Sequence, residues 1–486
     1  MKTPSTTLYV LIQSMTASEK RLFRLQNTEE SKLMLLFDIV EQMNEYNESL
    51  VKEKLNDASF AKNLKVHKNR LYQLVLNFLA QNPTHITISR RIRNNIDIIE
   101  VLIQKKLFKL AYEHIQKTKF LCIDNEEYEL LLLVLAIEVR QETYFKEKDG
   151  ISALEQMQDV NSIIDNYLRY AQINHELVAR RFQNHKSLED PCALREELAK
   201  KHLIKEGKEI IPRSSIAQRM RSHCKSILHE LKFEFDLAAE ETRNIVLLLE
   251  ANNNIIREKP NQYFSALYNH MCACCTAERY DEVLYYKAKQ FALVEENTFL
   301  EPYLIYTYSL LVDMYKKQSQ YQAAYHLFSE KISLDSKALE KYKGYPIDYF
   351  FSRMVEVLMY LHKKDELLDL INLLNQELAD TTEHLLVISW KLQTIVYINY
   401  REWILLSSWL ETVKKRIQRK KIKNLLLSKI IALAQKLVIK PIEEHSKYYE
   451  KHLAQLEAFD ADNQRYLLYF ETFFKYKSWI KCTIKC

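Results

Sequence analysis

"MYKKQSQYQAAYHLF" (residues 314–328) reads as the end of one helix, a short polar turn and the start of a second helix. An aromatic residue, Tyr321, follows the turn, and a small one, Ala324, comes three positions later. The same layout returns in "LIQKKLFKLAYEHI" (102–115), "HMCACCTAERYDEVLYY" (270–286) and "VYINYREWILLSSWL" (396–410). There the pairs are Phe108 with Ala111, Tyr280 with Val283, and Trp403 with Leu406; Phe235 with Ala238 fits too, and a weaker copy lies in "HKKDELLDLI" (362–371). From Phe235 onward the anchors fall at 235, 280, 321, about 365 and 403, a period of about 42. The layout describes a helical hairpin. The aromatic opens the second helix and packs back on the first, while the small residue lets the two helices approach closely. One hairpin cannot bury its own apolar face, so neighbouring hairpins must stack.

Elsewhere the chain keeps helical spacing. In "LMLLFDIVEQM" (33–43), Leu33, Leu36, Phe37, Val40 and Met43 share one face; in "NRLYQLVLNFLAQ" (69–81), Leu71, Leu74, Val75, Phe78 and Leu79 do the same. Breaks fall at Asn82-Pro83, Asp190-Pro191 and Lys259-Pro260. "THITIS" (84–89) alternates like a strand but is isolated, and is taken as a linker. The expected fold class is all-α: a right-handed α-solenoid of helix-turn-helix repeats with helical N- and C-terminal caps. Its expected parts are an N-terminal helical region (1–85), a repeat solenoid (86–440) and C-terminal capping helices (441–486). The last of these includes the aromatic amphipathic stretch "NQRYLLYFETFFKYKSWIKC" (463–482), read as the cover of the final repeat.

Composition narrows the function. The 486 residues hold three glycines, Gly150, Gly207 and Gly344, where average usage of roughly 7% would give some ten times as many. Loops that cradle phosphates need clustered glycines, so neither GxGxxG nor GxxxxGK[ST] is possible here. HExxH is absent, and GxSxG cannot be built from these glycines. The chain is therefore expected not to be an enzyme. The 70 Lys and Arg against 64 Asp and Glu leave a net charge of +6, too small for a general polyanion binder. The N-terminal apolar run Leu8–Ile12 is too short for a signal sequence, and no stretch reaches the length of a membrane span. A cytoplasmic location without membrane insertion is expected.

Tyr308, Leu311, Val312, Tyr315, Ser319, Tyr321, Ala324 and Phe328 resemble one tetratricopeptide repeat position by position. Trp390, Tyr397, Trp403, Leu406 and Leu410 make a second, looser match. Ser319 and Arg401 stand where that family has its turn glycine, and the period exceeds the family's ~34 residues. The chain thus resembles a tetratricopeptide-like solenoid with lengthened helices. As a whole it is also similar to a group of long helical-repeat proteins from Bacteroidetes bacteria, through "SMTASEKRLFRL" (14–25) and "NQYFSALYNHMCACCTAERYDEVLYY" (261–286).

The resemblance implies that the first helix of each hairpin lines a concave binding face. That assigns a candidate groove to Tyr268 and Cys272, then Tyr306, Asp313, Lys316 and Lys317, then Lys391 and Asn399. The partner implied is a protein or peptide segment, bound without chemistry on it. A runner-up reading is a regulator that contacts nucleic acid, resembling peptide-responsive bacterial regulators in architecture. It would use the N-terminal helices (62–78) or the basic run 413–429, read as one helix, with Lys414, Lys415, Arg416, Arg419, Lys420, Lys421 and Lys423 as its patch. The cysteine cluster is the remaining question. Cys272 and Cys275 lie three apart and His270 and Cys274 four apart, so either pair would share a helix face. Cys122, Cys192, Cys224, Cys482 and Cys486 form no second CxxC to complete a zinc set. Free cysteine packs as a small hydrophobe, so no metal and no cofactor are expected.

Overall fold

The computed structural model describes residues 5–27, 31–43, 46–55, 62–81, 87–145, 152–183, 197–198, 200–201, 204–205, 208–331, 347–377, 383–422, 424–459, 467 and 474–485. Among the described residues the regular structure is all helical apart from a two-residue antiparallel ladder pairing Ile204–Lys205 with Lys208–Glu209. The chain divides into two compact units, Met1–Val101 and Leu102–Cys486. That division falls sixteen residues beyond the expected 85/86 boundary and inside a helix, Ile88–Gln104. Ile88 and Ser89, read as linker, begin that helix, and Thr87 Oγ1 accepts from the Arg90 amide at 3.3 Å as its cap.

In the first unit, α1 (Ser5–Ser14), α2 (Ala17–Gln26), α3 (Ser31–Glu41), α4 (Glu48–Lys54) and α5 (Leu64–Gln81) surround one core. Leu33, Leu36, Phe37, Val40 and Met43 are all buried in it, as their spacing requires. Phe23, Phe37 and Phe78 meet at its centre, with ring centroids 4.9 and 5.2 Å apart. The "SMTASEKRLFRL" stretch has a local cause for its helix start. Thr16 accepts from the Glu19 amide, and the Glu19 carboxylate returns to the Thr16 amide at 2.8 Å, a complete capping box.

The second unit follows α6 (Ile88–Gln104) with α7 (Phe108–Asp124), α8 (Tyr128–Gln141), α9 (Ala153–Gln183), α10 (Ser215–Leu231), α11 (Phe235–Glu250) and the short α12 (Asn253–Glu258). Then come α13 (Pro260–Thr276), α14 (Tyr280–Glu296), α15 (Leu304–Lys317), α16 (Tyr321–Lys331), α17 (Ile347–Tyr360) and α18 (Lys364–Glu377). The chain closes with α19 (Glu383–Asn399), α20 (Trp403–Lys420), α21 (Leu425–Ile439), α22 (His445–Glu457) and α23 (Tyr476–Lys485). Each anchor aromatic, Phe108, Phe235, Tyr280, Tyr321 and Trp403, is the first residue of its helix. Their partners three positions on, Ala111, Ala238, Val283, Ala324 and Leu406, are 0–1% exposed. These small or aliphatic residues are thus interior, while most of the aromatics are half-buried.

The turns share one geometry. Among the described residues, Lys106, Glu126, Phe233, Glu278, Ser319, His362, Arg401 and Lys421 have φ between 54 and 62°. At Ser319 the amide bonds Lys316 O at 3.0 Å and the next amide, of Gln320, reaches back to Tyr315 O at 2.8 Å. This is the double bond of a Schellman turn, whose left-handed residue is usually glycine. Arg401 repeats it with Ile398 O and Tyr397 O. Packing is local in sequence: α13 touches α11, α14 and α15; α17 touches α15, α16, α18 and α19; α21 touches α19, α20 and α22. One buried core runs continuously from Ala239 to Ile480, with Trp390 wholly enclosed.

Candidate functional site

Hairpin spacing puts Tyr268 and Cys272 on α13, Asp313, Lys316 and Lys317 on α15, and Arg353 on α17, and these three helices pack in series. Their side chains meet at a cavity of ≈ 410 Å³, which Lys475 also lines. Five of the eight expected groove residues line it. Tyr306, 36% exposed, lies beside them, its ring edge-on to Tyr268 at 5.9 Å. Burial raises the phenols of both tyrosines above their ordinary value, so each stays protonated at neutral pH.

The charges around the cavity are ordered by ion pairs. Arg353 Nε donates to Asp313 Oδ2 at 2.6 Å. Lys316 lies 3.2 Å from Glu356, both nearly enclosed, and Glu356 also accepts the Lys475 amide at 3.2 Å. Lys317 is exposed and donates to Cys275 O, a C-terminal carbonyl of α13, at 3.0 Å. Four cations therefore stand against two carboxylates, and the cavity carries an excess of positive charge. Sequence reasoning missed Arg353 and Lys475. Arg353 lies on α17, the first helix of the hairpin whose second helix carries only the weaker copy of the layout, and Lys475 arrives from more than a hundred residues along the chain.

The other two expected groove residues lie elsewhere. Lys391 is 4% exposed within α19, and desolvation lowers its amine to about 7. Its position on the first helix is as expected, but its side chain faces inward, because α19 is buried round much of its circumference. Asn399 is exposed, and its Oδ1 accepts the Trp479 indole N–H at 3.0 Å. Helix α23 therefore covers this part of the face, reaching α19 as well as α22. Of the stretch 463–482, only Leu467 and residues 474 onward are described, and the helix starts at Tyr476.

The basic run does not form the single helix that 413–429 suggested. Helix α20 stops at Lys420, Lys421 takes the left-handed conformation, and Asn424 caps α21 through the Leu427 amide at 2.9 Å. Lys415, Arg416, Arg419, Lys420 and Lys421 are exposed, Lys414 pairs with Glu411 at 3.6 Å, and Lys423 lies outside the described residues.

The cysteines are mostly interior. Cys274 and Cys275 are buried and Cys272 partly so. Burial pushes the thiols of Cys272 and Cys274 up to about 12, so neither is an activated nucleophile. His270 is buried beside Cys274, and Glu282 of α14 completes a group whose ligand-type atoms all lie within 4.8 Å of one another. Among the described residues no helix is long and apolar enough to cross a membrane. Comparison of the chain with protein-family models, with curated proteins and with solved structures gave no match.

Proposed function

We propose that this chain is a non-catalytic binding scaffold: a solenoid of tetratricopeptide-like hairpins whose first-helix face takes an extended protein or peptide segment. The observation that carries the reading is the cavity at Tyr268, Cys272, Asp313, Lys317 and Arg353, built from three successive first helices. Its chemistry favours an acidic segment. Lys317 and Arg353 would meet carboxylates, while Tyr268 and Tyr306 offer flat apolar faces with a hydroxyl at the edge. Packing of each helix against its neighbours in sequence supports the stacked-hairpin architecture, as does the buried residue three positions after each anchor aromatic.

The test is capture of tagged protein on native lysate, with and without nuclease, compared with a Lys317→Glu/Tyr306→Ala variant. These two exposed positions are preferred to Lys316, whose ion pair is structural. The reading expects nuclease-resistant recovery of one or two proteins, weakened about tenfold or more in the variant, equivalent to ~1.4 kcal/mol. Unchanged recovery by the variant would move the site off this cavity. Recovery of nucleic acid that falls steeply with salt would replace the reading with the exposed basic end of α20.

A further inference from the structure

The geometry points to a zinc site formed by His270, Cys274 and Glu282, independent of the groove. The argument starts from a proton. Thr242 Oγ1 donates to Ala239 O at 2.9 Å, so its single hydrogen is committed. Its contact of 2.9 Å with His270 Nδ1 must then be accepted from the ring, which places the proton on Nδ1. With the proton on Nδ1, the neutral ring presents its lone pair at Nε2.

What faces that lone pair is a carboxylate. Glu282 Oε2 lies 3.9 Å from Nε2, while its other oxygen, Oε1, is held by Arg279 Nε at 2.6 Å. Two acceptors confront each other, and a cation between them would satisfy both. Zinc bonds of roughly 2.0–2.1 Å to nitrogen and oxygen make a tetrahedral edge of about 3.4 Å, so the two atoms need to close by only about 0.5 Å. The Cys274 sulfur stands 3.7 and 3.6 Å from the two ring nitrogens, and all three donor atoms lie within 4.8 Å of one another. Rotation about its Cα–Cβ bond would bring the sulfur toward the metal.

The surrounding residues have the arrangement that supports metal ligands. Thr242 fixes the histidine tautomer. Arg279, itself bound to Glu240 Oε1 at 2.8 Å, orients the carboxylate. His270 and Cys274 are closed to solvent, but the Glu282 side chain is 33% exposed, leaving one open side. Nitrogen, sulfur and oxygen donors in one set suit zinc better than magnesium or calcium, which take oxygen alone. On binding, the thiol proton passes to solvent and the thiolate takes its place on the metal, with water as the fourth ligand.

Full-length protein, treated with chelator and then dialysed, would be titrated with zinc and with cobalt. The expected result is one equivalent bound, with the tetrahedral visible bands and the near-ultraviolet sulfur-to-cobalt charge-transfer band of a single thiolate. Cys274→Ser should abolish the charge-transfer band, and Thr242→Val should weaken zinc about 10- to 100-fold while leaving all three ligands in place. Helicity by circular dichroism confirms that each variant is folded. Cys272→Ser and Cys275→Ser should leave the cobalt spectrum unchanged. Failure of the wild-type protein to take up an equivalent, or a charge-transfer band that survives Cys274→Ser, would overturn the site.

Discussion

Lys316 and Glu356 face each other at 3.2 Å with side chains 6% and 10% exposed, so each charge depends on the other. Lys316→Met would leave the carboxylate enclosed without its cation, and a loss of ~3–5 kcal/mol is expected by urea denaturation. Lys316→Met with Glu356→Leu should recover most of it, keeping the cost of the stranded Lys475 amide at about 1 kcal/mol. A surface pair would show almost no difference between the two variants. His452 carries a second residue-scale prediction. It is 4% exposed, contacts Tyr476 Oη at 2.9 Å, and is lowered to about 4 by burial, with Lys429 and Lys436 adding to the effect. Above pH 6.5 both folded and unfolded chains hold it neutral. As the pH falls, the unfolded chain takes up a proton first, so stability declines between 6.5 and 4 and by about 2 kcal/mol at pH 5. His452→Gln should flatten that part of the urea-midpoint profile; an unchanged slope would mean the imidazole is hydrated. Neither residue's burial was legible in sequence, since charged and histidine side chains at helical spacing read the same inside or out.

At the scale of elements, the turns are the most informative. Left-handed backbone is strained for residues bearing a Cβ, yet Ser319, Arg401 and their counterparts adopt it, held by the two amide bonds of each turn. Arg401→Gly should therefore stabilise the chain by ~0.5–1 kcal/mol, and Arg401→Val should destabilise it by more, read as opposite shifts of the thermal midpoint. Equal shifts in one direction would show that the side chain, not the backbone, decides the position. These turns were legible because the layout around them is strict: the aromatic falls two residues after the left-handed position and the buried small residue three further on. Ala324 makes the complementary case. It is wholly buried where α15 and α16 meet, and Ala324→Leu is expected to cost about 1–3 kcal/mol through overpacking. The basic run was misread for the same physical reason in reverse. Lys421 gives no compositional sign of a helix end, and Asn424 marks the next start only by capping it.

At the scale of the second unit, the sequence period conveys which helices neighbour one another but not which distant segment returns to cover them. Five of the expected residues meet at one cavity because hairpin register places them on consecutive first helices. Arg353 was not expected there, although its 40-residue spacing from Asp313 is close to the repeat period, because its hairpin carries only the weaker copy of the layout. Lys475 was not, because pairing across 119 residues leaves no periodic trace. The return of the C-terminal segment makes a distinct prediction. Lys475 and Trp479 bond to α17 and α19, and the buried Tyr476 contacts His452 of α22. Trp479→Ala should loosen this strap, so that amide exchange accelerates in α22 and in the Asn399 end of α19. Stacked hairpins transmit stability only to their neighbours, so exchange in α11, α13 and α14 should stay at wild-type rates. A uniform acceleration across the unit would instead mean that it opens as one cooperative body, and the stacked-hairpin reading would lose its energetic content. If exchange does remain local, an acidic peptide bound as proposed should protect α13, α15 and α17 first, the helices that meet at the cavity.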